Sequence, residues 1–218
     1  DGITAFLTPM NAEGVNIEEF LWTFNMPTDH GTVSFTDVYV DNMSIFGEEG
    51  HGLQIVQHFF NENRIRQAAS SLGAAQFCIN ESVQYAQERK PFGKPLSTNQ
   101  GIQFPLVELN TTAAMLRALI HKTAWQMDKY GAFSVSDQVS MCNYIGNRLC
   151  CDAADRAMQT HGGLGYSRHK PFEHIYRHHR RYRITEGAEE IQMRRIAGYM
   201  FGYMKQQAPK GVKSVTGK

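Results

Sequence analysis

A glutamate followed by a glycine, Glu186 and Gly187, occurs in the segment YRITEGAEEIQ, where a loop passes into a predicted helix. Such a carboxylate can serve as a general base that removes a proton from a bound substrate, with a backbone amide close by. It can equally be an ordinary first-turn acid, because the free N–H groups at the start of a helix attract negative charge. Glu189 and Glu190 fit the second interpretation, with Thr185 as the N-cap, so this segment alone leaves both open.

Two further segments suggest binding of a phosphorylated ring compound. QTHGGLGY, residues 159–166, has three glycines directly after a predicted helix, which permit close approach of a ligand or form an ordinary helix end. ERKPFGKP, residues 88–95, places Lys90 and Lys94 around Phe92 in a turn between helices, with Arg89 before them. A cation beside an aromatic ring suits a phosphorylated, ring-bearing cofactor, although a solvated loop has the same composition.

The most basic segment, HIYRHHRRYR, covers residues 174–183. It suggests nucleic-acid binding or, through His174 and His178 at a spacing of four residues, a metal site. Both hypotheses are weak, because the rest of the chain is not basic and no third metal ligand is evident. The tyrosines in the segment indicate instead an interface or a partly packed helix.

Two arginines stand out in a stretch that otherwise resembles a buried helix. Arg64 and Arg66 lie among apolar residues that recur at helical spacing. A buried arginine needs a carboxylate partner to offset the loss of hydration. Glu186 is one candidate for that partner.

Composition excludes several classes of function. The 218 residues are 42% hydrophobic and 20% charged, and 22 Lys and Arg balance 21 Asp and Glu, so net charge does not favour nucleic acid or an anionic membrane. Cys78, Cys142, Cys150 and Cys151 form no CxxC pair and are expected to be reduced and buried. No apolar run reaches membrane-spanning length and no signal-like segment opens the chain. We expect a cytoplasmic protein, or one of the mitochondrial or peroxisomal matrix, and not a secreted one.

Hydrophobic patterning changes near residue 50. Before it, β-branched and aromatic stretches predict strands at Ile3–Met10 and Gly31–Val40, with an irregularity at Asp37. After it, apolar residues recur at helical spacing without a proline until Pro91, which predicts one helix of roughly 35 residues. Prolines and glycines then delimit helices at about 99–129, 135–160, 171–179 and 187–204, and Pro105 is expected to bend the first of these.

The predicted fold is therefore mainly α, an up-down helical bundle preceded by a few strands. Strands without partners would expose backbone groups and an apolar face, so residues 1–50 are interpreted as the end of an incomplete β domain. Residues 51–205 are predicted to form the helical bundle. Residues 206–218 lack apolar periodicity and are predicted to be a flexible tail.

The chain resembles the C-terminal half of the acyl-CoA dehydrogenases over essentially all of residues 1–205. The resemblance lies in the segments NENRIR, AQERKPFGKPLSTNQGIQFPLVEL, QTHGGLGYSRHKPFEHIYR and ITEGAEEIQ, and in their mutual spacing. It implies a C-terminal helical bundle preceded by the last strands of a β-barrel-like middle domain. It also implies an FAD-dependent oxidoreductase of fatty acid metabolism that dehydrogenates an acyl-CoA thioester between its α and β carbons.

The resemblance assigns Glu186 as the base that removes the α-proton while the β-hydrogen leaves as hydride to the flavin. Some branches of the family place the base at the position of Asn63, which cannot act as one. Arg64 matches the family arginine near base and substrate, Gly187 the residue lying against the thioester, and Asn61 a CoA-contacting position where Asp is common.

Positions that contact FAD in the family are also recognisable. Those that contact the FAD of a neighbouring subunit are Arg89, Phe92, Asn99, Gln100, Gln159, Thr160, His161, Gly162 and Gly163, and those that contact the subunit's own FAD are Ala188 and Glu190. Many members have Thr and Gln at the last two positions. Sites shared across subunits imply a homodimer or homotetramer, with electron-transferring flavoprotein as the electron acceptor. His178 stands where Asp often follows the family arginine, here Arg177, and the HHRR run has no assigned role.

Two alternatives remain open at this point. The first is an acyl-CoA oxidase-like flavoprotein with the same proton abstraction but with oxygen as electron acceptor. The second is a non-catalytic partner subunit or fragment that completes a site on another chain. Acyl chain length and branching are not indicated, because changing one apolar residue of a pocket alters selectivity by only about 1–3 kcal/mol.

Overall fold

A computed structural model describes residues 2–24 and 26–205. The predicted tail, residues 206–218, lies outside the described residues. The chain divides into two compact units, one up to Phe59 and one from Phe60 onward. The predicted domain boundary at residue 50 remains a prediction. None of the described helices has the length and apolar content needed to span a bilayer.

The first unit contains a two-stranded antiparallel sheet. Strand β1, Val15–Phe20, pairs with β2, Gly31–Phe35, and the register shifts between Ile17 and Glu19. The predicted strand at Ile3–Met10 was wrong, because within the described residues this stretch forms only isolated bridges, Ile3 with His51 and Phe6 with Ile45. The strand predicted to reach Val40 ends at Phe35. Asp37 follows with a φ of 50°, which confirms the irregularity predicted there.

Six α-helices follow within the described residues, and they confirm a mainly α fold. The first, α1, Gly52–Glu88, has 37 residues where roughly 35 were predicted. The next two, α2, Gln100–Tyr130, and α3, Ser136–His161, begin and end within about one residue of the predicted bounds. The shorter ones are α4, Gly163–Tyr166, α5, Phe172–Arg180, and α6, Glu189–Met200. Gly131 and Gly162, both with positive φ, follow α2 and α3, because glycine reaches this conformation at little cost.

The core of the second unit lies between α1, α2 and α3. Small side chains let the helices approach closely: a Cβ added to Gly146 of α3 would lie 3.2 Å from the Cα of Ala68 on α1. Cys78, Cys142 and Cys150 belong to the same core and are free thiols, as predicted. Burial raises the pKa of Cys78 to about 12 and that of Cys142 to about 11, so both thiols stay protonated and unreactive at neutral pH.

The HHRR run packs its second histidine into the helical unit. His179 is 7% exposed, and its Nδ1 lies 3.1 Å from Ser71 Oγ, whose hydroxyl donates to Asn147 Oδ1 at 2.7 Å. The Ser71 proton is therefore in use, so His179 Nδ1–H donates to the hydroxyl. The described residues hold no group of three His, Cys, Asp or Glu side chains suited to a metal.

This buried histidine makes stability depend on pH. Burial, followed by His178 and Arg181, lowers the pKa of His179 from 6.5 to about 4. Between these values the unfolded chain binds the proton and the folded chain does not, so stability falls as pH falls. We expect the free energy of unfolding to drop by up to about 3 kcal/mol from this residue over that window.

The measurement is urea unfolding at about pH 7 and about pH 4.5. His179→Gln, which cannot gain the charge, should reduce the difference between the two pH values. His121→Gln, at an exposed position of α2, should leave the difference as in the parent protein. An unchanged difference in His179→Gln would contradict the assignment.

Candidate active site

Glu186 lies in a turn between a short 3-10 helix, Arg181–Arg183, and the start of α6. The helix begins at Glu189 with Ala188 as its N-cap, so Glu186 precedes the helix and is not a first-turn acid. The prediction of Thr185 as N-cap was wrong. Its hydroxyl oxygen instead accepts a hydrogen bond from Gln67 Nε2 of α1 at 3.3 Å.

The turn has an unusual backbone that is held by side chains of α1 and α6. Glu186 has a φ of 53° and Gly187 a φ of 96°, and a left-handed conformation costs a non-glycine residue about 1 kcal/mol or more. Arg64 Nε and Nη2 donate to the carbonyl oxygen of Glu186 at 3.0 and 2.6 Å. Gln192 Nε2 donates to the same oxygen at 3.1 Å and to that of Gly187 at 2.8 Å. These bonds fix the peptide that follows the glutamate.

Arg64 meets Glu186 through the backbone and not through the carboxylate that the sequence suggested. The side chain is 4% exposed, and its guanidinium carbon lies 5.4 Å from the centre of the Phe60 ring. Burial, together with the charge of Arg195, lowers the pKa of Arg64 to about 10. The group remains cationic at neutral pH and acts as an anchor for the turn.

The carboxylate of Glu186 is held by two amides of α1. Asn63 Nδ2 donates to Oε1, and Gln67 Nε2 donates to Oε2. The two residues lie four apart and therefore on one face of the helix. The sequence analysis missed Gln67. It could have been found because Asn63 and Gln67 are polar residues four apart in a helix whose other residues have the pattern of a buried helix.

Two arginines hold Glu189, the first residue of α6. Glu189 accepts two hydrogen bonds from Arg183, at 2.8 and 2.9 Å, and two from Arg148 of α3, at 3.0 and 3.1 Å. The bonds from Arg183, and then those from Arg148, lower the pKa of Glu189 to about 2. The helix that follows the Glu186 turn is thus tied to α3, which sequence reasoning also missed.

Of the residues predicted to contact substrate, Gly187 lies in this turn and Asn61 lies on α1. A Cβ added to Gly187 would lie 3.2 Å from Gln192 Nε2 and 3.5 Å from Arg64 Nη2. Asn61, two residues before Asn63, is fully buried, with Nδ2 3.4 Å from Ser136 Oγ and Oδ1 3.5 Å from Arg195 Nη1. Its side chain is therefore enclosed by this chain's own residues.

The residues predicted to contact FAD separate into three places. Arg89 and all of Gln159, Thr160, His161, Gly162 and Gly163 line one cavity of about 430 Å³ together with Tyr85. Phe92, Asn99 and Gln100 are exposed, in the connection after α1 and at the start of α2. Ala188 and Glu190 lie beside the Glu186 turn, at the beginning of α6.

His161 gives this cavity a defined polar group. Its ring stacks on Tyr85 with centroids 4.3 Å apart, and Nδ1 lies 2.9 Å from the carbonyl oxygen of Ala157. Burial lowers the pKa of His161, so the ring is neutral and Nδ1 carries the proton. Nε2 is then an acceptor, and it is buried without a hydrogen-bond partner among the described residues.

The profile of the family "Acyl-CoA dehydrogenase, C-terminal domain" matches residues 50–201. A probable acyl-CoA dehydrogenase of Mycobacterium tuberculosis, FadE2, is 32% identical over 193 residues, which cover 88% of this chain and 47% of that protein. Subunit CarC of the caffeyl-CoA reductase-Etf complex of Acetobacterium woodii is 29% identical over 202 residues, 91% of this chain and 52% of CarC.

Among solved structures, the glutaryl-coenzyme A dehydrogenase glutaryl-CoA complex matches with a TM-score of 0.83 at 28% identity, covering 94% of this chain and 52% of that one. The chain spans about half the length of the relatives it matches. The matched family profile covers α1 to α6, and with them the turn that contains Glu186 and the residues that hold it. The resemblance is confirmed: the chain belongs to the acyl-CoA dehydrogenase family and contains its C-terminal helical domain.

Proposed function

We propose that this chain supplies the catalytic base of an FAD-dependent acyl-CoA dehydrogenase, with Glu186 removing the α-proton of a bound acyl-CoA thioester. The observation that carries the proposal is the carboxylate of Glu186, which is oriented by Asn63 and Gln67 in a turn whose backbone Arg64 holds. A glutamate that served only as a first-turn acid would not need two side-chain donors to its carboxylate and a third side chain on its backbone carbonyl oxygen, all from another helix.

The chemistry explains why the backbone is held as firmly as the carboxylate. An α-proton is too weakly acidic for a carboxylate unless the developing enolate oxygen receives hydrogen-bond donors. In the family one donor is the backbone N–H of the base itself. Arg64 and Gln192 hold the carbonyl oxygen of Glu186 and so fix the peptide that follows the residue, while Asn63 and Gln67 fix its carboxylate. With the residue held on both sides of its Cα, the base keeps a constant direction, which lowers the cost of reaching the transition state.

The cavity at the end of α3 fits part of a dinucleotide. FAD, when bound, accepts the β-hydride that leaves as the α-proton is removed. Arg89 would face its phosphates, and the unpaired Nε2 of His161 would accept a hydrogen bond from one of its hydroxyl groups. A phosphate has no proton to donate at neutral pH, so the histidine would distinguish a sugar hydroxyl from a phosphate oxygen.

We also propose a homodimer or homotetramer with electron-transferring flavoprotein as electron acceptor. The exposed positions Phe92, Asn99 and Gln100 are those that contact a neighbouring subunit's FAD in the family. CarC, named as a subunit of a complex with Etf, supports the choice of acceptor. An oxidase-like enzyme would differ in one property, because its reduced flavin would be reoxidised rapidly in air.

The test is the visible spectrum of the purified protein before and after anaerobic addition of acyl-CoA thioesters from short to long. We expect a flavin band that bleaches with one range of chain lengths. Slow reoxidation in air, accelerated by electron-transferring flavoprotein, is expected for the dehydrogenase. A flavin band that no acyl-CoA bleaches would contradict the proposal, and absence of flavin would favour the partner-subunit alternative.

A further inference from the structure

The two amides that hold Glu186 have orientations that their own partners determine. An amide can turn by 180° and exchange its oxygen and nitrogen, so a hydrogen bond to a carboxylate requires that the nitrogen face it. In this site the orientation of each amide is determined, directly or through a third side chain, by a group that can play only one role. The direction of both hydrogen bonds follows from those groups.

Asn143 of α3 determines the orientation of Gln67. Its Nδ2 donates to the backbone carbonyl oxygen of Arg64 at 3.3 Å and to Gln67 Oε1 at 3.1 Å. A carbonyl oxygen can only accept, so the atom of Asn143 that faces it must be the nitrogen. The atom of Gln67 facing Asn143 is then its oxygen, and the nitrogen of Gln67 faces Glu186 and Thr185.

Arg66 determines the orientation of Asn63 by the same logic. A guanidinium has no acceptor atom, and Arg66 Nη2 donates to Asn63 Oδ1. The nitrogen of Asn63 must therefore face the carboxylate of Glu186. The positive charge of Arg66 polarises this amide and strengthens its donation to the glutamate.

We propose that Gln67, oriented by Asn143, and Asn63, oriented by Arg66, are positioning residues that direct the carboxylate of Glu186 for proton abstraction. This inference rests on the proposed function of Glu186 as the base. Each amide holds one oxygen of the carboxylate. Removing one donor therefore frees the carboxylate to rotate away from the direction that proton abstraction needs. Both amides are almost fully buried, so water replaces the lost donor poorly.

The experiment measures kcat and KM separately for flavin reduction by an acyl-CoA, in the parent protein and in Gln67→Met, which keeps the volume of the side chain but has no donor. We expect kcat to fall about tenfold with KM nearly unchanged, because one of the two donors that direct the base is lost.

Gln84→Met is the matched control. Gln84 lies on the same helix and also donates to a glutamate, Glu88 at 3.0 Å, but it is exposed and outside the site. Neither kcat nor KM should change in this variant. If Gln67→Met fails to fold, Gln67→Glu decides, because it keeps the acceptor for Asn143 and replaces only the donor. Its kcat should fall as well, with KM nearly unchanged.

Failure of this inference differs from failure of the proposed function. If the parent protein reduces its flavin with acyl-CoA and folded Gln67 variants keep the kcat of the parent, the positioning role is wrong. If the parent protein reduces no flavin, the proposed function is wrong, and the positioning role is wrong with it.

Discussion

Replacing Glu186 with glutamine is expected to lower the rate of flavin reduction by acyl-CoA about 10³-fold or more, because the base is lost. Glutamine has nearly the same volume, so the turn and the binding of acyl-CoA should persist. We expect a loss of stability, because the side-chain nitrogen of the glutamine must face the nitrogen of either Asn63 or Gln67, and both of these are donors. Two opposed donors should reduce stability by about 1–2 kcal/mol.

Anaerobic stopped-flow reduction, with acyl-CoA binding measured separately, tests this expectation. Glu108→Gln provides the control, since Glu108 is an exposed glutamate on α2 and the same charge is removed. It should reduce flavin at the parent rate. Full turnover by Glu186→Gln would remove Glu186 from the mechanism.

Replacing Arg64 with lysine is expected to have the second largest effect. Arg64 presents two donors to the carbonyl oxygen of Glu186, and the single ammonium of lysine cannot reproduce this fork. The left-handed turn would then depend on Gln192 alone for that oxygen. A displacement of about 1 Å at a catalytic group costs about 10²-fold in rate. We expect a decrease of that order in kcat and a loss of about 1–3 kcal/mol in stability.

Flavin reduction kinetics and urea unfolding measure the two parts of this effect. Arg117 is exposed on α2, away from the site. Arg117→Lys makes the same substitution there and should change neither the rate of flavin reduction nor the free energy of unfolding. A lysine variant with parent kinetics but reduced stability would show that Arg64 supports the fold without positioning the base.

The helices of this protein could be predicted because their signals are local. Apolar residues recur at helical spacing through α1 and α3, and glycines mark the ends of α2 and α3. The strands could not be predicted equally well, because a strand needs a partner. Ile3–Met10 has the composition of a strand but forms only isolated bridges, whereas the pair Val15–Phe20 and Gly31–Phe35 meets in the sheet.

The family and the identity of the candidate base were also contained in the sequence. Residue types around Glu186 and their spacing from Arg64 identify the family, which the profile match over residues 50–201 confirms. Cysteine spacing correctly indicated free thiols. These properties depend on composition and order along the chain, which folding does not alter.

Only the tertiary structure decided how Glu186 is held. Asn63 is 123 residues from Glu186 in sequence and donates to its carboxylate together with Gln67. Asn143, on another helix, orients Gln67. The tertiary structure alone also shows the left-handed turn at Glu186. It shows, too, that Arg64 binds a carbonyl oxygen and not a carboxylate. The physical reason is that a hydrogen bond requires atoms within about 3 Å, and packing of α1, α3 and α6, not sequence proximity, brings them together.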